Sequence, residues 1–178
     1  PYFKPYLTSD ATWNIGPQRI AATTIQPGRI YTKTCGGGGT LTIDSGVTVR
    51  KAVIITNCRV AFGQGAALED VVILTTNTDK RSFSGPNGVR LGVNDNCAPG
   101  GGAQLVSYGG MDFASGLEVY GSQLIAGGDI AFSASSSGIQ GASFVAGGTI
   151  SGTSNMTMGF CNRGMEANLL SAYFQMVL

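Results

Sequence analysis

The chain has 178 residues, a net charge of +1 and only 12 % charged residues, so one domain with a sizeable core is expected. No basic stripe or Lys/Arg run is present, which argues against a nucleic-acid partner. No apolar run reaches the length of a membrane span, so we expect no membrane contact by this chain. Histidine is absent, which removes the commonest general base and transition-metal ligand.

The N-terminal residues 1–25 differ in composition from the rest of the chain. Residues 2–6 are rich in aromatic residues and proline, and Trp13 follows shortly after. We interpret this segment as a cap on the open end of a repetitive fold, which would otherwise expose core and strand edges. An aromatic ligand platform is the alternative.

A coil rhythm begins at Gln26. Short runs of alternating polar and apolar residues, typical of half-buried strands, are separated by glycine-rich turns. The pairs Gly109-Gly110, Gly127-Gly128 and Gly147-Gly148 follow one another at nearly equal spacings. This period predicts an all-β, right-handed parallel β-helix with about 18–20 residues per coil, spanning residues 26–162.

Two segments interrupt or end this rhythm. Residues 78–102 are polar and rich in Gly and Pro, and we interpret them as a coil with a protruding loop. Residues 163–178 are expected to form a C-terminal cap, either a helix or a terminal strand, and no other helix is predicted.

Four cysteines, none in a Cys-x-x-Cys pair, suggest disulfides in an exported protein. Cys35 and Cys58 are separated by about one coil, and adjacent coils would bring them within bonding distance. By elimination Cys97 would then pair with Cys161.

No motif in the sequence predicts catalysis or a cofactor, and we expect neither. Asp112 and Asp129 could stack as a carboxylate dyad of a polysaccharide-active β-helix, but aspartates that cap turns are commoner. Asn94-Asp95-Asn96 offers oxygen ligands for calcium, although turns alone account for such residues. For partner binding, Lys80 and Arg81 beside Phe83 in the predicted loop form the candidate site.

Several segments resemble the C-terminal β-rich region of TadG-type proteins of bacterial Flp/Tad pilus-assembly systems, closest to the alphaproteobacterial kind. They are Pro27-Gly28-Arg29-Ile30-Tyr31, the glycine run through Leu41-Thr42-Ile43, residues 96–102, and the pairs at 127–128 and 147–148. The resemblance implies a non-enzymatic structural or adhesive role at the cell envelope or outside the cell. It also implies pilus or envelope proteins as partners, with surface glycans as a further option. A carbohydrate-active or carbohydrate-binding β-helix is the alternative.

Overall fold

A computed structural model describes residues 7–96, 98–152 and 158–161 of the chain. These residues form only β-structure and no helix. The predicted C-terminal cap at 163–178 and the aromatic residues 2–6 lie outside the described residues. The strands are β1 (Thr12–Asn14), β2 (Arg19–Ile20), β3 (Arg29–Lys33), β4 (Thr40–Ile43), β5 (Thr48–Thr56), β6 (Arg59–Phe62), β7 (Ala67–Thr75), β8 (Phe83–Asn87), β9 (Arg90–Leu91), β10 (Ala103–Ser107), β11 (Met111–Tyr120), β12 (Gln123–Ala126), β13 (Ile130–Gln140), β14 (Ser143–Ala146), β15 (Ile150–Ser151) and β16 (Met158–Gly159).

All strand pairs are parallel, and they stack as a β-solenoid of about seven coils, as the repeats predict. Each coil has three sides, because the long strands β5, β7, β11 and β13 turn a corner between two sides. Face A consists of β1, β3, the second halves of β5 and β7, β10, β12 and β14. Face B consists of β2, β4, β6, β8, the first parts of β11 and β13, and β15. Face C consists of the first parts of β5 and β7, β9, the second parts of β11 and β13, and β16.

The core lies inside the triangular coil and is built from stacked side chains. On face A, Ile54, Ile73 and Leu105 follow one another in register and are fully buried. On face B, Phe62 stacks on Phe83 at 6.4 Å between ring centroids and lies 6.0 Å from Phe113. Period-2 alternation therefore directs every second side chain of a strand into the core, where side chains in register stack along the solenoid.

The first coil begins before the predicted start of the solenoid. Strand β1 pairs with β3, and β2 pairs with β4, so residues 12–20 extend the ladders of faces A and B. Trp13 is half-buried against Tyr31, at 6.3 Å between ring centroids, and the guanidinium carbon of Arg29 lies 4.6 Å from its ring centroid. This end of the core is thus covered by an aromatic–cation contact.

Coil length varies where segments are inserted between faces. Val53 pairs with Val72, and Val72 pairs in turn with Gln104, so the coil that starts at Val72 is much longer than the one before it. The long coil still contributes strands to all three faces, since β8 belongs to face B and β9 to face C. The extra length lies in two shorter segments, residues 76–82 and 92–102.

Residues 78–102, interpreted from the sequence as a coil with a protruding loop, contribute two strands to the coil, and Phe83 lies in the first of these strands and not in a loop. Phe83 begins β8, pairs with Val60 and Met111 in the two neighbouring coils, and is fully buried. Its side chain lies between those of Val60 and Met111 in an inward column of face B and contacts the Phe62 ring of the neighbouring column, so it contributes to the core and cannot contact a partner.

Candidate docking surface

The outward side chains of face A are the most unusual surface of the molecule. In register, they form two columns that run along the solenoid, and we call them outer face A. Their members are Thr12, Ile30, Val53, Val72, Gln104, Gln123 and Ser143 in the first column, and Asn14, Thr32, Ile55, Leu74, Val106, Ile125 and Val145 in the second. None of these residues is charged, and more than half of them are Ile, Val or Leu.

The apolar residues of outer face A are accessible to solvent in the chain as described. Ile55 is 43 % exposed and Val145 is 50 % exposed. Val53, Val72 and Leu74 are partly exposed. A sheet with one solvated face normally alternates apolar residues inside with polar residues outside, and β5 and β7 break that rule.

Face C carries the opposite kind of surface. Glu69 accepts hydrogen bonds from Arg50 (Nε to Oε2, 2.6 Å) and from Arg90 (Nη2 to Oε1, 3.1 Å), and Glu118 pairs in register with Arg90. The opposite charges of face C are paired with each other on a solvated face. Outer face A, in contrast, has only a few side-chain hydroxyls and amides that can form hydrogen bonds with water.

The corner between faces C and A has a left-handed backbone in five of the coils. Gly28, Lys51, Asp70, Gly121 and Gly141 have φ values between 50° and 83°, and each lies just before a face A strand segment. Side chains rarely adopt this conformation, so Lys51 and Asp70 stand where the corner favours glycine. They place one positive and one negative charge beside outer face A.

Asp70 also holds the second insertion, residues 92–102, against the corner. Its Oδ1 accepts a hydrogen bond from the backbone N–H of Gly101 at 2.6 Å. The same insertion reaches face C, where Tyr120 is 8 % exposed and interacts with Asn94 and Glu118. Burial, followed by the nearby charge of Glu118, raises the pKa of the Tyr120 hydroxyl above its ordinary value.

The cysteines follow the predicted pattern as far as the described residues reach. Cys35 and Cys58 form a disulfide with a Cα–Cα distance of 5.2 Å, which links two adjacent coils at the corner between faces A and B. Cys161 is also disulfide-bonded, and its predicted partner Cys97 lies outside the described residues. Every described cysteine is therefore oxidised.

The predicted partner-binding residues do not form one patch. Lys80 and Arg81 are exposed in the insertion 76–82, and Arg81 makes an ion pair with Asp112 (Nε to Oδ2, 2.6 Å). Phe83 is buried in the core and lies apart from them. The two cations remain available at the surface without the aromatic neighbour that motivated the prediction.

The carboxylates considered for catalysis have separate partners. Asp112 pairs in register with Ala131, not with Asp129, and its carboxylate binds Arg81. Asp129 accepts a hydrogen bond from the N–H of Thr149 at 2.8 Å, as a turn-capping aspartate does. Asp95 likewise accepts from the N–H of Ala98. Among the described residues, no cluster of three or more acidic, cysteine or histidine side chains could hold a metal ion.

An open groove of about 570 Å³ lies at the corner between faces B and C near the N-terminal end. Its charged residues, Arg19 and Asp44, are paired with each other at 2.6 Å, and Gln18, Thr42 and Ser45 complete its polar lining. None of the described residues that line the groove is aromatic, so they offer no platform of the kind that stacks on a sugar ring.

Fold and cysteines together define a small, disulfide-bonded β-solenoid protein. A family model described as a domain of unknown function, DUF7867, matches residues 5–162, and the chain belongs to this family. No curated protein and no solved structure matches the chain. Within the described residues, no helix is long and apolar enough to cross a membrane.

Outer face A is absent from the sequence-based predictions, although a signal for it exists. Val53-Ile54-Ile55 and Val72-Ile73-Leu74 are continuous apolar runs, which are typical of strands covered on both sides. The sequence-based predictions assume that each strand has one inward and one solvated face. Under this assumption the runs indicate core strands, and their outward apolar residues are not recognised as a second apolar surface.

Proposed function

We propose that this protein is a non-enzymatic structural module that acts outside the reducing cytoplasm, in a protein assembly of a bacterial cell envelope. The observation that carries the proposal is that every described cysteine is disulfide-bonded. Disulfides persist in oxidising compartments and are rare in cytosolic proteins of mesophiles.

A structural role, as opposed to an enzymatic one, is supported by how the polar groups are used. The carboxylates that could act as an acid–base pair each bind an arginine or a backbone N–H. A flat, uncharged, apolar sheet face is in turn suited to contact another protein surface, since burial of apolar area drives association.

The assembly that we propose is a Flp/Tad-type pilus, with pilin or other pilus-assembly proteins as partners. The support for this choice is the resemblance of residues 26–162 to the β-rich region of TadG-type proteins. The protein would then contribute to pilus assembly or to surface attachment, at the cell surface or in the periplasm.

The test uses the chromosomal gene with an affinity tag in its own bacterium. Chemical cross-linking of intact cells, purification and immunoblotting should recover pilin or minor pilus components with the tagged protein. Deletion of the gene should reduce piliation and surface attachment, and expression in trans should restore both. Normal pili and attachment after deletion would rule out the pilus role.

A carbohydrate-binding role is the second candidate, and the polar groove at Arg19 and Asp44 is the feature that favours it. Incubation with a panel of polysaccharides distinguishes the two. Release of reducing ends would indicate an enzyme, and retention on a glycan array that is lost in Arg19→Ala would indicate a lectin-like module.

A further inference from the structure

Outer face A has the composition of a surface that is covered in the functional state. Its centre consists of Val53 and Ile55 in one coil and Val72 and Leu74 in the next, all side chains of β5 and β7. The inward neighbours Ile54 and Ile73 are fully buried, so these strands are apolar on both sides. Parallel strands with apolar residues on both sides are normally covered on both sides.

We propose that outer face A binds a second copy of this chain, so that two solenoids pack face to face with antiparallel solenoid axes. The charges at the edge of the face favour this occupant. Lys51 and Asp70 lie at the same corner of adjacent coils, next to the first residues of their face A strand segments. They are of opposite sign and one coil apart.

Consider a two-fold axis that lies in the interface, runs parallel to the strands and passes between these two coils. Rotation about this axis reverses the order of the coils in the partner subunit. It leaves the C–A corner of both subunits at the same edge of the interface. Lys51 then faces Asp70 of the partner subunit, and Asp70 faces the partner's Lys51. The same operation places Val53 opposite the partner's Val72, and Ile55 opposite the partner's Leu74. The apolar centre and both edge charges are thus self-complementary, as an isologous interface requires.

The size of the face predicts a weak dimer. Six overlapping coils spaced by about 4.8 Å, with strands about 17 Å wide, give about 500 Å² per copy and about 1,000 Å² in total. This area is near the lower limit for a specific interface, so we expect a dissociation constant in the micromolar range.

Sedimentation velocity of the purified chain over a range of about 5 µM to about 500 µM tests the proposal. The wild-type protein should shift from monomer to dimer and no further. Ile55→Asp, at the centre of the face, should weaken the dimer at least tenfold because it buries an unpaired charge. Thr40→Asp, at an outward position of face B in register with Arg59, is the matched control and should dimerise as the wild type does.

Two further variants complete the design. Lys51→Asp should also weaken the dimer, since it places like charges opposite each other, and aspartate already adopts this backbone conformation at position 70. If circular dichroism shows that Ile55→Asp is unfolded, Ile55→Thr replaces it, because it keeps the β-branched shape.

A wild-type protein that stays monomeric at the highest concentration overturns the proposal, as does a dimer that forms equally well with Ile55→Asp or Ile55→Thr. Suppose that the wild type is monomeric and that its cross-links to pilus proteins in cells are lost in Ile55→Asp. Outer face A would then bind another protein and not a second copy of this chain. That outcome would leave the proposed function intact and refute the second copy as occupant.

Discussion

Lys51 and Asp70 occupy equivalent corner positions in successive coils, and both have a left-handed backbone with φ values of 50° and 54°. Gly28, Gly121 and Gly141 stand at the equivalent positions of other coils. Asp70 uses its side chain to bind the N–H of Gly101, whereas Lys51 is exposed. The left-handed backbone at this corner therefore follows from the fold and not from the residue type. Lys51 adopts it although the conformation is strained for a residue with a side chain.

Lys51→Gly is expected to stabilise the protein by about 1 kcal/mol, since glycine adopts this conformation without strain. Gly121→Ala is the matched reverse change: its φ is 51° and an added Cβ would meet nothing within 4 Å. It should destabilise by about 1 kcal/mol through the backbone alone. Urea unfolding at low protein concentration measures both changes. A destabilised Lys51→Gly would show that the lysine side chain makes a contribution larger than the strain.

The disulfide between Cys35 and Cys58 should contribute about 3 kcal/mol, the value expected for closing a loop of this length in the unfolded chain. Cys35→Ser/Cys58→Ser should therefore lower the urea midpoint and slightly raise the slope of the transition, because the unfolded chain without the cross-link exposes more surface. The comparison is made without reductant, so that the bond at Cys161 stays intact. Equal stability of the double variant and the wild type would show that the hydrogen bonds between strands of adjacent coils are sufficient to fix residues 36–39.

Phe83 and its neighbours distinguish the core from the insertion that precedes it. Phe83→Ala should cost about 3–5 kcal/mol because it leaves a cavity between Val60 and Met111, beside the Phe62 ring. Lys80→Ala/Arg81→Ala should shift the melting temperature by no more than about 2 °C, since exposed ion pairs contribute little. Thermal unfolding followed by circular dichroism compares them. A mild effect of Phe83→Ala would contradict its placement in the inward column.

Tyr120 should make stability depend on alkaline pH. Its pKa is raised in the folded state, so the folded protein holds this proton more tightly than the unfolded chain does. The stabilisation is complete below about pH 10, the ordinary tyrosine pKa, and is lost as the pH rises through and above that value. Tyr120→Phe should therefore lose less stability than the wild type when the pH is raised from about 9 to about 11.

Tyr108→Phe, which removes a hydroxyl from an exposed tyrosine, is the control for this experiment. Parallel stability–pH curves for the wild type and Tyr120→Phe would show that Tyr120 is not responsible for the dependence.

The sequence predicts the repeating part of the fold well because each coil repeats the same alternation between glycine turns. It predicts the Cys35–Cys58 bond for the same reason, since their separation of 23 amounts to one coil with a short insertion. The interior of residues 78–102 is harder to predict because Phe83 follows a polar turn and precedes Ser84, Gly85 and Pro86, so its strand lacks apolar neighbours. Only the pairing with Val60 and Met111 places it inside.

Outer face A could not be derived from any single strand, since it exists only once the register of several coils is known. Ile55 and Leu74 lie in different coils and become neighbours through the pairing of β5 with β7. The apolar runs indicate that both sides of these strands are covered, but the sequence alone does not say which side faces the core.

The disulfide between Cys35 and Cys58 supports the proposal that this protein acts outside the cytoplasm. The redox state of these two cysteines in the cells that naturally produce the protein tests that location. Cells are quenched in acid, and free thiols are labelled with a maleimide that adds mass, with and without prior reduction. The account predicts no labelling until a reductant is added, and two fewer labels after reduction in Cys35→Ser/Cys58→Ser. Labelling of Cys35 and Cys58 in unreduced samples would contradict it.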